Sequence, residues 1–202
     1  MIKEACIESF EEAVAAEERG ANRVELCDNL EVGGTTPSHE NIRLCSEILK
    51  IPVFVMIRPR GGNFVYSDDE LEMMRSEIIM CKELRIPGVV LGILTPENQI
   101  DIERTRELVK LASPMQVTFH KAFDEAPDFS QALEDVIATG AHRILTSGTK
   151  ATATEGTGIL NRLIEQAGGR ITIVAAGRIT TENIGELSQL IKTTEFHGRK
   201  IV

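Results

Sequence analysis

The sequence contains no tryptophan and one tyrosine, and only 4% of its residues are aromatic. Proteins that bind single-stranded nucleic acid stack the bases on aromatic side chains, so this chain is poorly supplied for such a surface. Its formal net charge of −9 also argues against nucleic acid and anionic membranes, although a local basic pocket is compatible with that charge. We therefore expect neither nucleic acid nor a membrane as a partner.

Long hydrophobic runs are absent as well. No apolar stretch approaches the length of a membrane-spanning helix, and the residues from Met1 onward show no signal-peptide pattern. We expect a cytoplasmic protein, in which the four cysteines are thiols rather than disulfides. The 202 residues, 42% of them hydrophobic, are enough for one domain with a sizeable core.

Short apolar, β-branched runs alternate with helical segments along the whole chain. The predicted strands are Ile2–Ile7, Arg23–Cys27, the run from Pro52, Gly88–Leu94, Met115–His120, Arg143–Thr146, Ile171–Ala176 and Glu195–His197. The predicted helices are Ser9–Gly20, Ser38–Lys50, Ser67–Arg85, Asp101–Ala112, Asp128–Thr139, Ile159–Ala167 and Thr181–Ile191. The small polar stretch Thr152–Gly158 is predicted to be a loop, either a lid or a plain solvent loop.

This alternation predicts an α/β protein with a parallel sheet, most simply a TIM-type (β/α)8 barrel formed by residues 1–202 as one domain. An open doubly wound sheet fits less well, because no Gly-x-Gly-x-x-Gly turn follows the first strand. The chain ends shortly after the last predicted strand, so we expect the barrel to lack its last outer helix. Apolar surface left near that seam would favour a homo-oligomer.

The third predicted strand ends in Arg58-Pro59-Arg60-Gly61-Gly62. A buried guanidinium keeps its proton and needs an anion, either a carboxylate of the barrel or a ligand. Glu4 and Glu25, on the first two strands, are candidate internal partners for Arg58. The alternative is that Arg58 and Arg60 bind a small anionic ligand at the barrel mouth, where the active sites of such barrels lie.

Two further loops suggest a phosphate-type site. Ser147 and Gly148 follow the sixth predicted strand, and Gly177 and Arg178 follow the seventh. Small residues ahead of a helix expose backbone N–H groups to an anion, and in barrels the loops near the last strands often do so. The sequence therefore predicts an anion site at these loops.

Several segments spread over the chain resemble the CutC family. They are Arg23–Cys27, Gly33–Ser38, Met56–Gly62, Val117–Asp124 and Ile144–Gly148. The resemblance implies a TIM-type barrel, a cytoplasmic location and a role in copper homeostasis. Members of the family usually carry Gly-Gly-Gly where this chain has Ala176-Gly177-Arg178, which weakens the inference of a phosphate site.

A copper site needs soft ligands, and two cysteines are placed to supply them. Glu4-x-Cys6 and Glu25-x-Cys27 repeat one spacing on adjacent strands, and period-two alternation puts each pair on one face. Two thiolates on neighbouring strands suit Cu(I). The resemblance carries the copper ligands proposed for the family onto Cys6 and Cys27. The alternative is that both are inert buried thiols.

An enzyme is the other function class that the sequence supports. Strand ends bring His120, Glu25 and Asp124 to the predicted mouth, together with Arg58, Arg60 and His197. Such a set suits general acid–base chemistry on a small anionic substrate, with His120 titrating near neutral pH. The sequence gives no reaction, and each histidine has an alternative role as a structural hydrogen-bonding group.

Overall fold

Eight parallel strands close into a barrel in the computed structural model, which describes residues 1–202. The strands are β1 (Ile2–Ile7), β2 (Arg23–Leu26), β3 (Val53–Met56), β4 (Gly88–Leu91), β5 (Gln116–Phe119), β6 (Arg143–Thr146), β7 (Thr172–Ala175) and β8 (Glu195–Gly198). The helices are α1 (Phe10–Glu18), α2 (His39–Ile48), α3 (Asp68–Glu83), α4 (Ile102–Ala112), α5 (Phe129–Thr139), α6 (Ala153–Ala167) and α7 (Ile184–Leu190). Short 3₁₀ helices follow β2 (Leu30–Val32) and β5 (Lys121–Glu125).

Each strand pairs with its neighbours in chain order, and β1 pairs with β8 to close the ring. The predicted TIM-type (β/α)8 barrel is therefore confirmed, with seven α-helices outside it and none after β8 in this chain. None of these helices combines the length and the apolar composition that crossing a bilayer requires.

The largest difference from the prediction lies at the start of α6. This helix begins at Ala153, so most of the predicted loop Thr152–Gly158 is helical and cannot serve as a lid. Thr152 accepts the amide of Glu155, whose carboxylate accepts the amide of Thr152 in return, forming a capping box. Gly156 made this segment read as a loop, because glycine disfavours a helix. In the structure a Cβ at this position would lie 1.9 Å from the carbonyl oxygen of Ser147. The glycine is required by close packing rather than by flexibility.

Alternation along the strands separates two environments. On β1 and β2, Ala5, Ile7, Val24 and Leu26 point outward into the core shared with the helices. Their neighbours point into the barrel, where they meet Phe54, Met56 and Val90 in a smaller apolar cluster. Outward positions are therefore aliphatic, and the inward positions of β1, β2 and β8 carry the charged and sulfur-bearing side chains.

Candidate functional site

An ionic network occupies the barrel interior on the side of β1, β2 and β8. Arg23 binds Glu4 and also Glu195, with 2.5 Å between Arg23 Nη2 and Glu195 Oε2. Arg143 donates to the same Glu195 carboxylate at 3.1 Å. Both guanidinium groups lie over the Phe54 ring, at 4.8 Å and 5.2 Å from its centroid. These buried charges compensate one another, so the network forms a structural floor under the barrel mouth.

Above this floor, Cys6, Glu25 and Cys27 come together. Their sulfur and carboxylate oxygen atoms all lie within 4.8 Å of one another. Cys27 Sγ lies 3.5 Å from Glu25 Oε2, and Cys6 is 8% exposed whereas Cys27 is fully buried. Gly34 lies against Cys27 with a φ of +87°, a backbone conformation that favours glycine, so the loop after β2 covers the thiol. The two cysteines that the sequence singled out are neighbours in space.

His197 links the floor to this cluster. Its Nδ1 lies 2.8 Å from Glu4 Oε1, and its Nε2 lies 3.6 Å from Glu25 Oε2. Burial alone would raise the pKa of Glu4, but the hydrogen bond and charge of His197, joined by Arg23, lower it to about 2. Burial opposes charge on the imidazole, yet the acidic groups around it raise the pKa of His197 well above its ordinary value. Glu4 and His197 therefore form a buried ion pair at neutral pH.

The two thiols differ in pKa. Hydrogen bonding from Cys27 is the largest influence on Cys6, and it lowers the pKa of that thiol well below its ordinary value despite burial. The same contact, together with burial, raises the pKa of Cys27 well above the ordinary value. The two pKa values thus move in opposite directions, and Cys6 is the more readily deprotonated of the two thiols.

A cavity of about 200 Å³ opens beside this cluster at the carboxyl ends of the strands. Its walls are Cys6, Glu25, Leu30, Gly33, Met56, Arg58, Phe64, His120, Lys121, Leu145 and His197. Cys6 brings one thiol to this wall, and the apolar part of the wall is formed by Leu30, Met56, Phe64 and Leu145. The expected basin at the barrel mouth is present, with Arg58, His120 and His197 on its walls.

Arg58 does not pair with Glu4 or Glu25, which was one expectation. Its Nη1 donates to the carbonyl oxygens of Val32 and Gly34 at 3.0 Å and 2.7 Å, and its Nη2 donates to that of Gly62 at 2.8 Å. Its Nε is buried without a partner. The hydrogen bonds of the guanidinium all go to backbone carbonyls, and no carboxylate neutralises it.

Arg60 is turned away from the cavity. Its Nε lies 2.5 Å from a carboxylate oxygen of Glu70, the residue that closes the capping box of α3 with Ser67. Pro59 intervenes between the two arginines and no strand continues past Met56, so Arg58 and Arg60 do not share a direction. The expectation that both arginines face one pocket is therefore wrong for Arg60.

His120 lies at the end of β5 with its imidazole almost fully buried. Nδ1 accepts the amide of Ala122 at 3.2 Å, and Nε2 is buried without a partner. Burial, aided by the charge of Arg58, lowers the pKa of His120 to about 3. The expectation that His120 titrates near neutral pH is wrong, and the residue acts as a neutral hydrogen-bond donor through Nε2–H.

Asp124 lies in the 3₁₀ helix after β5, and its carboxylate is bound by the loop that follows β6. Its carboxylate accepts the amides of Ser147 and Thr149, each at 3.0 Å, and the hydroxyl of Thr146. Lys121 Nζ lies 2.6 Å from the same carboxylate. Burial would raise the pKa of Asp124, but Lys121 and these donors lower it. Asp124 thus accepts the amide of Ser147, which had been predicted to bind an external anion.

The loops after β6 and β7 also pack too closely for a phosphate between them. A Cβ at Gly148 would lie 2.6 Å from the carbonyl oxygen of Gly156, and a Cβ at Gly177 would lie 2.7 Å from Ser147 Cβ. The amide of Ala153, at the start of α6, donates to the carbonyl oxygen of Gly177. Arg178 is exposed and lines no part of the cavity. The expected amide donors of Ser147 and Gly148 are bound within the protein, to Asp124 and to the Thr146 hydroxyl.

Six residues of the cavity wall were not among the predicted site residues: Leu30, Gly33, Met56, Phe64, Lys121 and Leu145. Alternation along β3 places Met56 two residues before Arg58, so both face inward. Lys121 follows His120 directly, and Phe64 follows the Gly61-Gly62 turn. The same period of two would also have predicted that Arg23 faces inward with Glu25.

Comparison with known proteins places the chain in a family. The profile of the CutC family matches residues 1–202. A CutC protein of Chromobacterium violaceum is 48% identical over 197 residues, which cover 98% of this chain and 80% of the relative. The copper homeostasis protein cutC homolog of Homo sapiens is 45% identical over 196 residues, 97% of this chain and 72% of the human protein.

The structure gives the same answer. The crystal structure of CutC from Streptococcus agalactiae superposes with a TM-score of 0.95 at 38% identity, and each chain is covered completely. The sequence match and the shared barrel both cover the whole chain, and so include Cys6 on β1 and the residues that follow β2, β3 and β5, namely Cys27, Arg58 and His120. The chain belongs to the CutC family.

Proposed function

We propose that the protein binds Cu(I) through Cys6 and Cys27 and so contributes to copper homeostasis. The observation that carries this proposal is the meeting of two sulfur atoms and the Glu25 carboxylate within 4.8 Å at the barrel mouth. Thiolates are the ligands that Cu(I) prefers, and the ion accepts a low coordination number. The human relative is named for copper homeostasis, which agrees with a soft-metal site.

The residues around the thiols suit this role. Cys6 reaches the cavity, so an ion has a route to the sulfur, whereas Cys27 is sealed behind it. Glu25 Oε1 has no hydrogen-bond partner, which leaves it free to accept a proton released from Cys27 or to approach the metal. His197 orients this carboxylate from the other side.

Anaerobic titration with Cu(I) against a chromogenic chelator tests the proposal. We expect one Cu(I) per chain, with affinity falling in Cys6→Ala and in Cys27→Ala by more than the roughly 10–100-fold that loss of an outer partner causes. Cys45→Ala and Cys81→Ala are matched controls, since both thiols are fully buried in α2 and α3 away from the cavity. Equal stoichiometry and affinity in all five proteins would contradict the proposal.

A second candidate function is an enzyme that acts on a small anionic molecule in the same cavity. Arg58 favours it, because a guanidinium with no carboxylate partner lies in the cavity wall. Glu25 and His197 line the same space and would transfer protons. If this function holds, anion binding persists in the double variant of Cys6 and Cys27, in which Cu(I) binding is lost.

Location and assembly belong to the same proposal. All four cysteines are free thiols, and a thiolate ligand for Cu(I) survives only in a reducing compartment such as the cytoplasm. We also propose self-association of the barrel. Sedimentation velocity over a range of concentrations tests it, and a monomer at every concentration would contradict it.

A further inference from the structure

The cavity contains a buried cation without a counter-charge. Arg58 is 3% exposed, and its hydrogen bonds go to three carbonyl oxygens and to no carboxylate. Elsewhere in the barrel interior each buried arginine is paired, as Arg23 and Arg143 are with Glu195. Carbonyl dipoles only partly offset the cost of removing a guanidinium from water. The unpaired Nε–H of Arg58 therefore marks a place for an anion.

His120 supplies a second unpaired donor. Nδ1 accepts a backbone N–H from Ala122, so it carries no proton and the neutral ring is protonated at Nε2. This Nε2–H has no partner, although the side chain is 4% exposed. A Cβ at Gly92 would lie 2.6 Å from Nδ1 and Cε1, so glycine at that position allows the ring to be seated here. The fold thus fixes the tautomer and leaves one donor unsatisfied.

The side chains of Arg58 and His120 both pack against the ring of Phe64. Arg58 Cζ lies 4.7 Å from the centroid of Phe64, and the centroid of His120 lies 4.9 Å from the same ring. All three residues line the cavity of about 200 Å³, whose remaining wall includes the aliphatic side chains of Leu30 and Leu145. One charged donor and one neutral donor therefore share the cavity wall with these two aliphatic side chains. Cys6, Glu25, Lys121 and His197 line the same cavity.

We propose that this cavity binds a small aliphatic carboxylate, whose oxygens accept hydrogen bonds from Arg58 Nε–H and His120 Nε2–H. The inference rests on the second candidate function and names its ligand. Two donors match two carboxylate oxygens, and the apolar wall accommodates a short hydrocarbon tail. Phosphate fits less well, because the loop amides that would bind its further oxygens are donated to Asp124.

Butyrate is a suitable probe, with butyramide and inorganic phosphate for comparison. Nitrogen-15 NMR of the histidine side chains, on copper-free protein in Tris chloride, reports Nε2 of His120 directly. We expect butyrate to shift this resonance with a dissociation constant on the order of 1 mM, a value ordinary for so few atoms. Butyramide, which has the same shape without the charge, leaves the resonance unchanged.

His120→Asn tests the donor. Asparagine at this position still accepts the amide of Ala122 but offers no group in place of Nε2–H, so affinity for butyrate falls about tenfold. His142→Asn is the matched control, because its Nδ1 likewise accepts a backbone amide, that of Val117, but the residue is exposed at the opposite end of the barrel. We expect that variant to bind butyrate as the wild type does, and the NMR shift in the wild type requires no variant to fold.

The outcomes distinguish failure of the carboxylate inference from failure of the second candidate function. Butyrate binding with no shift at His120, or tighter binding of phosphate than of butyrate, would overturn the carboxylate inference and leave an anion site at Arg58. Failure of every anion to bind would overturn the inference and the second candidate function together, while the Cu(I) titration would stand apart from both results.

Discussion

Asp124 and Arg58 are charged side chains at the same end of the barrel, and the protein treats them differently. Asp124 accepts hydrogen bonds from two amides and a hydroxyl and pairs with Lys121. Arg58 has three carbonyl partners, no opposite charge and an Nε–H group without a partner. The first is saturated from within the chain and the second is not.

This difference distinguishes structural from binding residues better than position does. Both residues follow the carboxyl ends of barrel strands, where active sites lie. Their positions in the sequence therefore make them equally good candidates for a binding site. A charge whose partners are all internal stabilises its loop, because removing it leaves several donors unpaired. A buried charged group with unpaired donors lowers the stability of the free protein, and a ligand that accepts hydrogen bonds from those donors restores it.

Removing Asp124 should have the largest effect. In Asp124→Ala the amides of Ser147 and Thr149 lose their acceptor and Lys121 loses its partner, so we expect the free energy of unfolding to fall by about 3–5 kcal/mol. Urea denaturation measures it. Asp128→Ala is the control, since Asp128 also accepts two amides but caps an exposed helix end, where about 1 kcal/mol is expected. Equal losses would remove the distinction drawn here.

Acid should have the second largest effect, because it protonates Glu4 in the ionic network of the barrel floor. The pKa of Glu4 is about 2 in the folded protein and 4.5 for a free glutamate, so folding favours its charged form. The resulting stability, on the order of 3 kcal/mol, is present above about pH 5 and is lost as the pH falls toward 2. Urea denaturation between pH 7 and pH 2 measures the loss. Glu4→Gln should lack this contribution, and a variant with the acid sensitivity of the wild type would contradict the assignment.

Removing Arg58 should cost less than removing Asp124. Arg58→Leu leaves three carbonyl groups without a donor but strands no charge, and it relieves the desolvation of the guanidinium. We expect a loss of about 1–2 kcal/mol in urea denaturation, at the lower end for a buried hydrogen-bonded group. A loss as large as that of Asp124→Ala would mean that Arg58 is structural and that its unpaired Nε–H has no role in binding.

Arg60 should give the smallest change. Its pair with Glu70 is partly exposed, with 39% of the arginine side chain accessible, so Arg60→Leu should alter the free energy of unfolding by about 1 kcal/mol or less. Binding of butyrate should be unchanged as well, because Arg60 lies outside the cavity. Reduced butyrate binding in this folded variant would show that Arg60 reaches the site after all.

The alternation of inward and outward side chains along the strands was the main source of correct predictions from the sequence. Alternation on β1 and β2 placed Glu4 with Cys6 and Glu25 with Cys27, and the structure brings both cysteines together. The sequence could not show that Asp124 turns into the loop after β6, because such a contact depends on how two loops meet in space. It also could not show that Arg60 points outward, since the direction after Pro59 depends on the chain beyond the strand.

Copper K-edge X-ray absorption on the Cu(I)-loaded protein tests the central claim most directly, because it counts the sulfur atoms bound to the metal. The account predicts two sulfur ligands in the wild type and one in either Cys6→Ala or Cys27→Ala, with Cys45→Ala unchanged. A first shell of nitrogen and oxygen alone, or a sulfur count that ignores both substitutions, would contradict it.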